Sequence, residues 1–205
     1  MTLEPSQIQQ LATPLLLQPL PASAWEQLAA YVNHLYRWNA RMNLTAVRDP
    51  AILARQHIAE CLRAAQMIPA EVGSVLDFGS GAGLPGIPLQ IARPGLTVTL
   101  AESQKKKASF LREMVRELGL FQTRVHAGRV EDLPSECRYD LVAMRAVDRM
   151  DRALAAAAPR IGRYCMVLTS LQEEQAVTKA LPALSWVSDA IPQSQQRIIL
   201  LGVAR

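Results

Sequence analysis

The feature that most constrains the fold is a short apolar strand that runs directly into a glycine-rich loop. Residues 75–78 have the pattern of a buried strand, and glycines follow at positions 79, 81, 83 and 86. Residues 87–92 then continue with a helical pattern. A strand, a glycine turn and a helix in this order begin a βαβ unit, and open α/β sheets bind ligands beyond the carboxyl ends of their strands. The loop at Gly79 is therefore the predicted ligand site.

Beyond this loop, predicted strands alternate with predicted helices, which indicates an α/β fold with a mostly parallel sheet covered on both faces. Further strands are expected at 96–101, 123–126, 139–144 and 163–168, and helices at 104–118, 148–158 and 172–180. Gly119 is expected to end the first of these helices. The last two predicted strands, 185–188 and 197–203, have no helix between them and are expected to pair antiparallel.

The first 69 residues have a helical pattern and precede the predicted sheet. Four prolines before residue 22 allow only a short first helix. A longer helix is expected from Ser23 to about residue 43, with Ser23 and Glu26 forming a capping box. A second helix is expected over 50–67, with Asp49 as its N-cap and Pro50 at its first position. We therefore predict a helical extension over 1–69 that packs on an α/β domain over 70–205.

Composition excludes several classes of protein. The 205 residues are 50% hydrophobic and contain no apolar run long enough for a membrane span, so we expect no membrane span and no membrane partner. The three cysteines and three histidines are scattered without ligand spacing, which predicts a reducing cytoplasm and no metal site. The net charge of +4 permits a polyanionic partner without requiring one.

The glycine loop matches two cofactor patterns in two registers. Asp77-x-Gly79-x-Gly81-x-Gly83 matches the loop of S-adenosylmethionine-dependent methyltransferases, whereas Gly81-x-Gly83-x-x-Gly86 formally matches the dinucleotide fingerprint. Glu102, about 20 positions later, fits either register because both cofactors contain a ribose whose hydroxyls a carboxylate can bind. A turn without a ligand is a third possibility.

Three features favour the methyl donor. Asp77 lies two residues before the first glycine, where an acid helps to hold a cationic cofactor. Pro85 lies where a phosphate-binding helix needs a free N–H group. The fingerprint also begins after some 75 residues, whereas dinucleotide domains often begin the chain. None of the three decides between the two registers.

Several longer stretches carry a more specific resemblance. They are Y-R-W-N at 36–39, M-N-L-T-A-V-R-D-P at 42–50, His57 with Glu60, D-F-G-S-G-A-G-L-P-G-I-P-L at 77–89, E-S at 102–103 followed by Lys106, Lys107, Phe110 and Leu111, R-V-E at 129–131, and R-A at 145–146. Over roughly residues 29–133, and more weakly to the end, the chain resembles the small-subunit ribosomal RNA guanine-N7 methyltransferases, long known as glucose-inhibited division protein B.

This resemblance implies a Rossmann-like seven-stranded methyltransferase fold with a helical N-terminal extension. It also implies S-adenosyl-L-methionine as cofactor and N7 of one guanine in small-subunit (16S) ribosomal RNA as methyl acceptor. The partner would be that RNA or the small ribosomal subunit, and we expect a cytoplasmic monomer. Glu60-Cys61 and Thr169-Ser170 depart from the Asp-Ser and Lys-Gly common in the family, and the second departure removes a lysine that would contact the RNA.

The resemblance also implies residue roles. Gly79 and Leu84 would line the cofactor, Val130 and Glu131 would lie beside its adenine, and Arg145 would lie near the methyl group and target. Together with the loop pattern, the expected cofactor-binding set is Asp77, Gly79, Gly81, Gly83, Leu84, Glu102, Ser103, Val130, Glu131 and Arg145. Arg145 and Asp77 are also the candidate catalytic residues.

Simple chemistry limits what the protein must supply. Guanine N7 has a lone pair and no proton, so we expect no essential general base.

Three of the residues also have a structural alternative. Arg145 could form an ion pair with an acid such as Asp148, Asp77 could be a loop-capping carboxylate, and Trp38 could pack in the core instead of stacking on an RNA base. The rival functions are a methyltransferase of the same fold on another substrate, a nicotinamide-dependent oxidoreductase, and a non-catalytic RNA-binding protein.

Overall fold

The computed structural model describes residues 2–147 and 149–204. A seven-stranded sheet forms its centre, in the order β3-β2-β1-β4-β5-β7-β6. The strands are β1 Ser74–Phe78, β2 Thr97–Ala101, β3 Thr123–His126, β4 Tyr139–Arg145, β5 Ile161–Ser170, β6 Leu184–Ala190 and β7 Arg197–Ala204. The predicted α/β fold is confirmed, and all seven predicted strands are present within a few residues of their expected bounds.

Strand direction decides which residues reach the ligand edge of the sheet. β1 to β5 run parallel, whereas β7 lies antiparallel between β5 and β6, as expected for the last two strands. Because β7 runs in the opposite direction, its first residue, Arg197, pairs with Ser170 at the carboxyl end of β5. A residue that begins a strand is thereby placed at the edge where the parallel strands end.

In the described part of the chain, eight α-helices surround the sheet. They are α1 Pro5–Ala12, α2 Ala22–Met42, α3 Pro50–Ile52, α4 Ala59–Met67, α5 Gly86–Ala92, α6 Lys105–Glu117, α7 Met150–Ala157 and α8 Leu171–Ala180. A π-helical turn, Leu53–Ile58, joins α3 to α4, so the predicted helix over 50–67 is continuous but wider in its middle. Short 3-10 turns occur at Thr13–Leu15, Val130–Asp132 and Ala158–Arg160.

The helix caps were predicted with mixed success. The Asp49 carboxylate accepts a hydrogen bond from the Ala51 N–H at 2.8 Å, and Gly119 has φ +63° after α6, as expected. The capping box at Ser23 is wrong, because α2 begins at Ala22 and Pro21 precedes it in an extended conformation without a side-chain cap. The φ angle that the proline ring fixes suits this junction, which leaves Ser23 inside the first turn.

The helical extension shares its core with the sheet. Trp25 and Leu28 of α2 and Leu62 of α4 are buried in one cluster with Leu89 of α5 and Leu100 of β2. Full burial of a leucine side chain stabilises the fold by about 1.5–3 kcal/mol, so this contact fixes α2 beside the glycine loop. The division at residue 69 stays a prediction. No helix in the described part of the chain is long and apolar enough to cross a membrane.

Candidate functional site

The glycine loop follows β1 and turns sharply at the carboxyl edge of the sheet. Gly79, Gly81 and Gly83 have φ angles of +68°, +56° and +93°. A Cβ atom on Gly83 would overlap the Ile87 side chain, and one on Gly86 would lie 2.6 Å from a carboxylate oxygen of Asp77. Only glycine fits at these two positions, so the loop is held tightly against β1 and α5.

Asp77 lies beneath this loop and is fully buried. Its Oδ2 accepts a hydrogen bond from the Gly86 N–H at 3.0 Å, while Oδ1 has no hydrogen-bond partner among the described residues. Burial raises the pKa of this carboxyl from 3.8 to about 7, and the Glu102 charge adds to the rise, while the Ser80 hydroxyl and the Gly86 N–H oppose it. This geometry agrees with the alternative in which Asp77 caps the loop. One of its two carboxylate oxygens is buried without a hydrogen bond from the described residues.

Glu102 holds the loop from the other side. It follows β2 and is 6% exposed. Its Oε2 accepts a hydrogen bond from the Gly81 N–H at 2.9 Å, and its Oε1 accepts one from the Gln104 N–H at 2.7 Å. Each carboxylate oxygen has a second lone pair, so both can still accept from a ligand hydroxyl. Glu102 therefore joins the glycine loop to the start of α6.

A cavity of about 500 Å³ opens beside the loop, over the carboxyl ends of β1 and β2. Four of the predicted cofactor-binding residues line it: Gly79, Ser103, Val130 and Glu131. The other six are not in its lining, namely Asp77, Gly81, Gly83, Leu84, Glu102 and Arg145. Asp77 and Glu102 instead shape the loop that forms one wall.

The start of α5 distinguishes the two cofactor registers. A dinucleotide site requires free N–H groups at this helix N-terminus to bind pyrophosphate. Pro85 has no N–H, the Gly86 N–H is bound by Asp77, and the Ile87 N–H donates to the Gly83 carbonyl at 2.8 Å. The geometry therefore disfavours the nicotinamide alternative.

Arg145 lies at the carboxyl end of β4 within a buried ionic cluster. Its Nε donates to Glu60 Oε2 at 3.1 Å, and its Nη2 contacts His57 Nδ1. Arg197 donates to Glu60 Oε1 at 2.7 Å. The expected Arg145 partner, Asp148, lies outside the described residues, and the acid that the structure places on Arg145 is Glu60 of α4.

This cluster keeps His57 neutral. Burial, together with the charges of Arg145 and Arg197, lowers the pKa of His57 from 6.5 to about 4. A neutral imidazole nitrogen can accept a hydrogen bond from a guanidinium, which fits its contact with Arg145. A second cavity of about 290 Å³ lies beside the cluster and is lined partly by His57, Glu60 and Arg197.

Sequence reasoning did not identify Arg197 as a site residue. Its only signal was a single arginine before the apolar run of β7, a pattern common at the ends of buried strands.

Trp38 packs edge-on against Phe110, with 5.9 Å between ring centroids, which agrees with the core-packing alternative. Within residues 2–147 and 149–204, no three His, Cys, Asp or Glu side chains are grouped as metal ligands.

Comparison with known proteins identifies the family. A family model described as rRNA small subunit methyltransferase G matches residues 24–197. The chain belongs to this family. It is 39% identical over 184 residues to "Ribosomal RNA small subunit methyltransferase G" of Xanthomonas campestris pv. campestris, an alignment that covers 89% of this chain and 85% of that protein. The resemblance stated from the sequence is confirmed.

Other relatives of the family align over less of their length. The protein of the same name from Stenotrophomonas maltophilia is 49% identical over 131 residues, which are 64% of this chain and 61% of that protein. Among solved structures, a magnesium protoporphyrin IX methyltransferase from Synechocystis with bound SAM superposes with a TM-score of 0.55 at 15% identity, covering 98% of this chain and 90% of that one. This likeness confirms the Rossmann-like methyltransferase fold.

Proposed function

We propose that this chain is an S-adenosylmethionine-dependent methyltransferase that methylates N7 of one guanine in small-subunit ribosomal RNA. The observation that carries the proposal is the family match over residues 24–197, because that range includes the glycine loop, Glu102, Arg145 and Arg197 together. The relatives of this family are named for methylation of small-subunit ribosomal RNA. We further propose that the protein acts in the cytoplasm as a monomer.

The site fits the cofactor. The cavity of about 500 Å³ has apolar walls at Val130 and Val147 and a carboxylate at Glu131. Gly79 brings backbone to the cavity, and a side chain there would reach to 3.6 Å of Val147. In this proposal Val130 and Glu131 lie beside the adenine, Glu102 and Ser103 bind the ribose, and the loop from Gly79 to Leu84 contacts the amino-acid end. The cofactor, when bound, supplies a methyl group activated by its sulfonium.

The chain's own residues then orient the guanine and exclude water. No side chain has to remove a proton, because N7 has none, so alignment of the acceptor nitrogen with the methyl carbon and sulfur is the main contribution. Such alignment is worth up to about 7–11 kcal/mol in favourable reactions. The pKa of about 4 makes His57 a weak base, so we assign it no proton transfer.

Arg145 is the residue we assign to the target base. Glu60 and His57 engage its Nε and Nη2, and its other guanidinium N–H groups, which no described residue binds, are assigned to guanine O6 or an RNA phosphate. Its side chain is 10% exposed, so these donors lie in a largely dry site. We assign Asp77 to holding the loop, because its Oδ2 already binds the Gly86 N–H and its pKa of about 7 leaves it only partly ionised at neutral pH.

The decisive experiment uses methyl-labelled S-adenosylmethionine and small ribosomal subunits from cells that lack the activity. After reaction and digestion of the RNA, mass spectrometry identifies the labelled nucleoside. We expect 7-methylguanosine. Label in another nucleoside would favour a methyltransferase of the same fold with a different target, and subunit binding without label or cofactor affinity would favour a non-catalytic RNA-binding protein.

A further inference from the structure

Three arginines line the same cavity as the proposed cofactor site: Arg129, Arg149 and Arg152. All three are exposed. The ion pairs among the described residues involve other arginines. His126 and Asp132 form hydrogen bonds with the backbone of Arg129, which leaves its guanidinium available to a ligand. Glu131 is the one carboxylate in the described lining of the cavity. The cavity wall therefore carries an excess of positive charge.

This charge does not suit the cofactor. S-adenosylmethionine carries a sulfonium and an ammonium against a single carboxylate, so its net charge is +1. Three guanidinium groups repel such a ligand, although solvent screens the repulsion at exposed positions. The cofactor has one carboxylate for three guanidinium groups, so we expect an additional anion to approach the same opening.

The proposed substrate provides that anion. RNA carries one phosphate per nucleotide, and guanidinium groups bind phosphate oxygens in a bidentate manner. A guanine whose N7 enters the cavity brings its own strand across the opening. Resting on the proposed function, we infer that Arg149 and Arg152, with Arg129 beside them, bind backbone phosphates of the RNA strand that flanks the target guanine.

The backbone around these arginines supports the inference. Arg149 has φ +53° immediately before α7, and Ala146 has φ +48° immediately after β4. Side chains other than glycine pay about 1–2 kcal/mol for this left-handed conformation, and proteins keep such strain where it positions a functional group. The strained turn places Arg149 and then Arg152, one helical turn further along α7, in the lining of the same cavity.

If RNA phosphates neutralise the three arginines, the repulsion of the cationic cofactor decreases, and RNA tightens cofactor binding. Linkage requires the reciprocal effect, so the cofactor tightens RNA binding by the same factor. The arginines therefore couple the two ligands in addition to contacting one of them.

The test is the double variant Arg149→Gln/Arg152→Gln. Its matched control is Arg116→Gln/Arg163→Gln, which removes the same charge from two arginines that are 75% and 60% exposed and pair with acids elsewhere on the surface. For each protein we would measure KM for small ribosomal subunits at several salt concentrations, and the Kd of the free enzyme for S-adenosylmethionine by calorimetry.

We expect the Arg149/Arg152 variant to raise KM at least about ten-fold and to lower the slope of log KM against log salt by about 1.4, which is about 0.7 for each lost phosphate contact. The Kd of the free variant for S-adenosylmethionine should not increase. The control should change KM about two-fold or less. Arg149→Lys/Arg152→Lys should restore most of the salt slope, because lysine keeps the charge.

Two results would overturn the inference. A higher Kd of the free variant for S-adenosylmethionine would show that these arginines bind the cofactor. Equal changes in KM for both double variants would show an effect of net charge alone. Failure of the proposed function is distinguishable, because the unmodified protein would then form no 7-methylguanosine on the subunit, and both proposals would fall together.

Discussion

The Tyr31 hydroxyl donates a hydrogen bond of 2.7 Å to the carbonyl oxygen of Ala82, across 51 positions of the chain. Tyr31 lies in α2 and is fully buried, and Ala82 lies in the middle of the glycine loop. The helical extension thus holds the loop directly. Its contribution to the site is structural support for the cavity wall, in addition to any contact with RNA.

Replacing Tyr31 with Phe should lower the free energy of unfolding by about 1–3 kcal/mol, because the Ala82 carbonyl would stay buried without its donor. Urea denaturation measures the change. Tyr36→Phe, on the same helix, is the control and should change stability by less than about 0.5 kcal/mol, since no described residue binds its hydroxyl. Equal losses in both variants would contradict the role of this hydrogen bond.

Gly83→Ala should distort the loop. The new Cβ would overlap the Ile87 side chain and would adopt a φ of +93°, at a cost of about 1–3 kcal/mol. We expect roughly ten-fold weaker binding of S-adenosylmethionine by calorimetry. Gly95→Ala is the matched control, because a Cβ there has no heavy atom within 4 Å. Unchanged cofactor affinity in the Gly83 variant would show that the loop does not shape the site.

Glu60→Gln should be strongly destabilising. The variant leaves Arg145, which is 10% exposed, beside Arg197 without the carboxylate that both arginines share. Breaking a buried ion pair by removing one partner costs about 3–5 kcal/mol. The control is Glu117→Gln, which breaks the exposed pair with Arg116 and should cost less than about 1 kcal/mol. Similar shifts in the urea midpoint for both variants would show that the Glu60 ion pairs contribute no more to stability than the exposed pair of Glu117.

Asp77 should make the protein less stable as pH rises. Its folded pKa of about 7 lies above the ordinary value of 3.8, so between these values the unfolded state loses a proton that the folded state keeps. The stability of the unmodified protein minus that of Asp77→Asn should therefore fall by up to about 4 kcal/mol from pH 4 to pH 7, and then level off. Parallel stability curves for the two proteins would contradict the raised pKa.

His57 acts in the opposite direction over much of the same range, which is why the difference from the Asp77 variant has to be measured. Its folded pKa of about 4 lies below the ordinary value of 6.5. Its contribution to stability is therefore complete above pH 6.5 and is lost as pH falls toward 4. The pH curve of the unmodified protein alone would show the sum of two opposing effects.

Local chemistry explains which parts of the fold were predictable. The Asp49 cap, Gly119 and the strand–glycine–helix unit depend on neighbouring residues, and a single sequence contains those signals. The capping box at Ser23 failed because Pro21, two residues earlier, already takes the N-cap position and α2 begins at Ala22. The π-helical turn at Leu53–Ile58 has no local signature and depends on packing.

The site residues were likewise predictable only where the signal was local. The glycine loop and Glu102 were located by spacing alone, since ribose recognition sets the distance between them. The partner of Arg145 was not, because Glu60 lies 85 positions earlier in the chain. Arg197 was missed because only the antiparallel direction of β7 brings it to the ligand edge. Strand direction is a property of the assembled sheet.

The reversed direction of β7 also sets the order in which the site can form during synthesis. Glu60 binds Arg197, which is made 137 residues later. At translation rates of about 5–20 residues per second, synthesis of these residues takes roughly 7–27 seconds, during which this acid lacks Arg197. Until β7 enters the sheet, the ionic cluster is incomplete, so the ligand edge is among the last parts of the protein to mature.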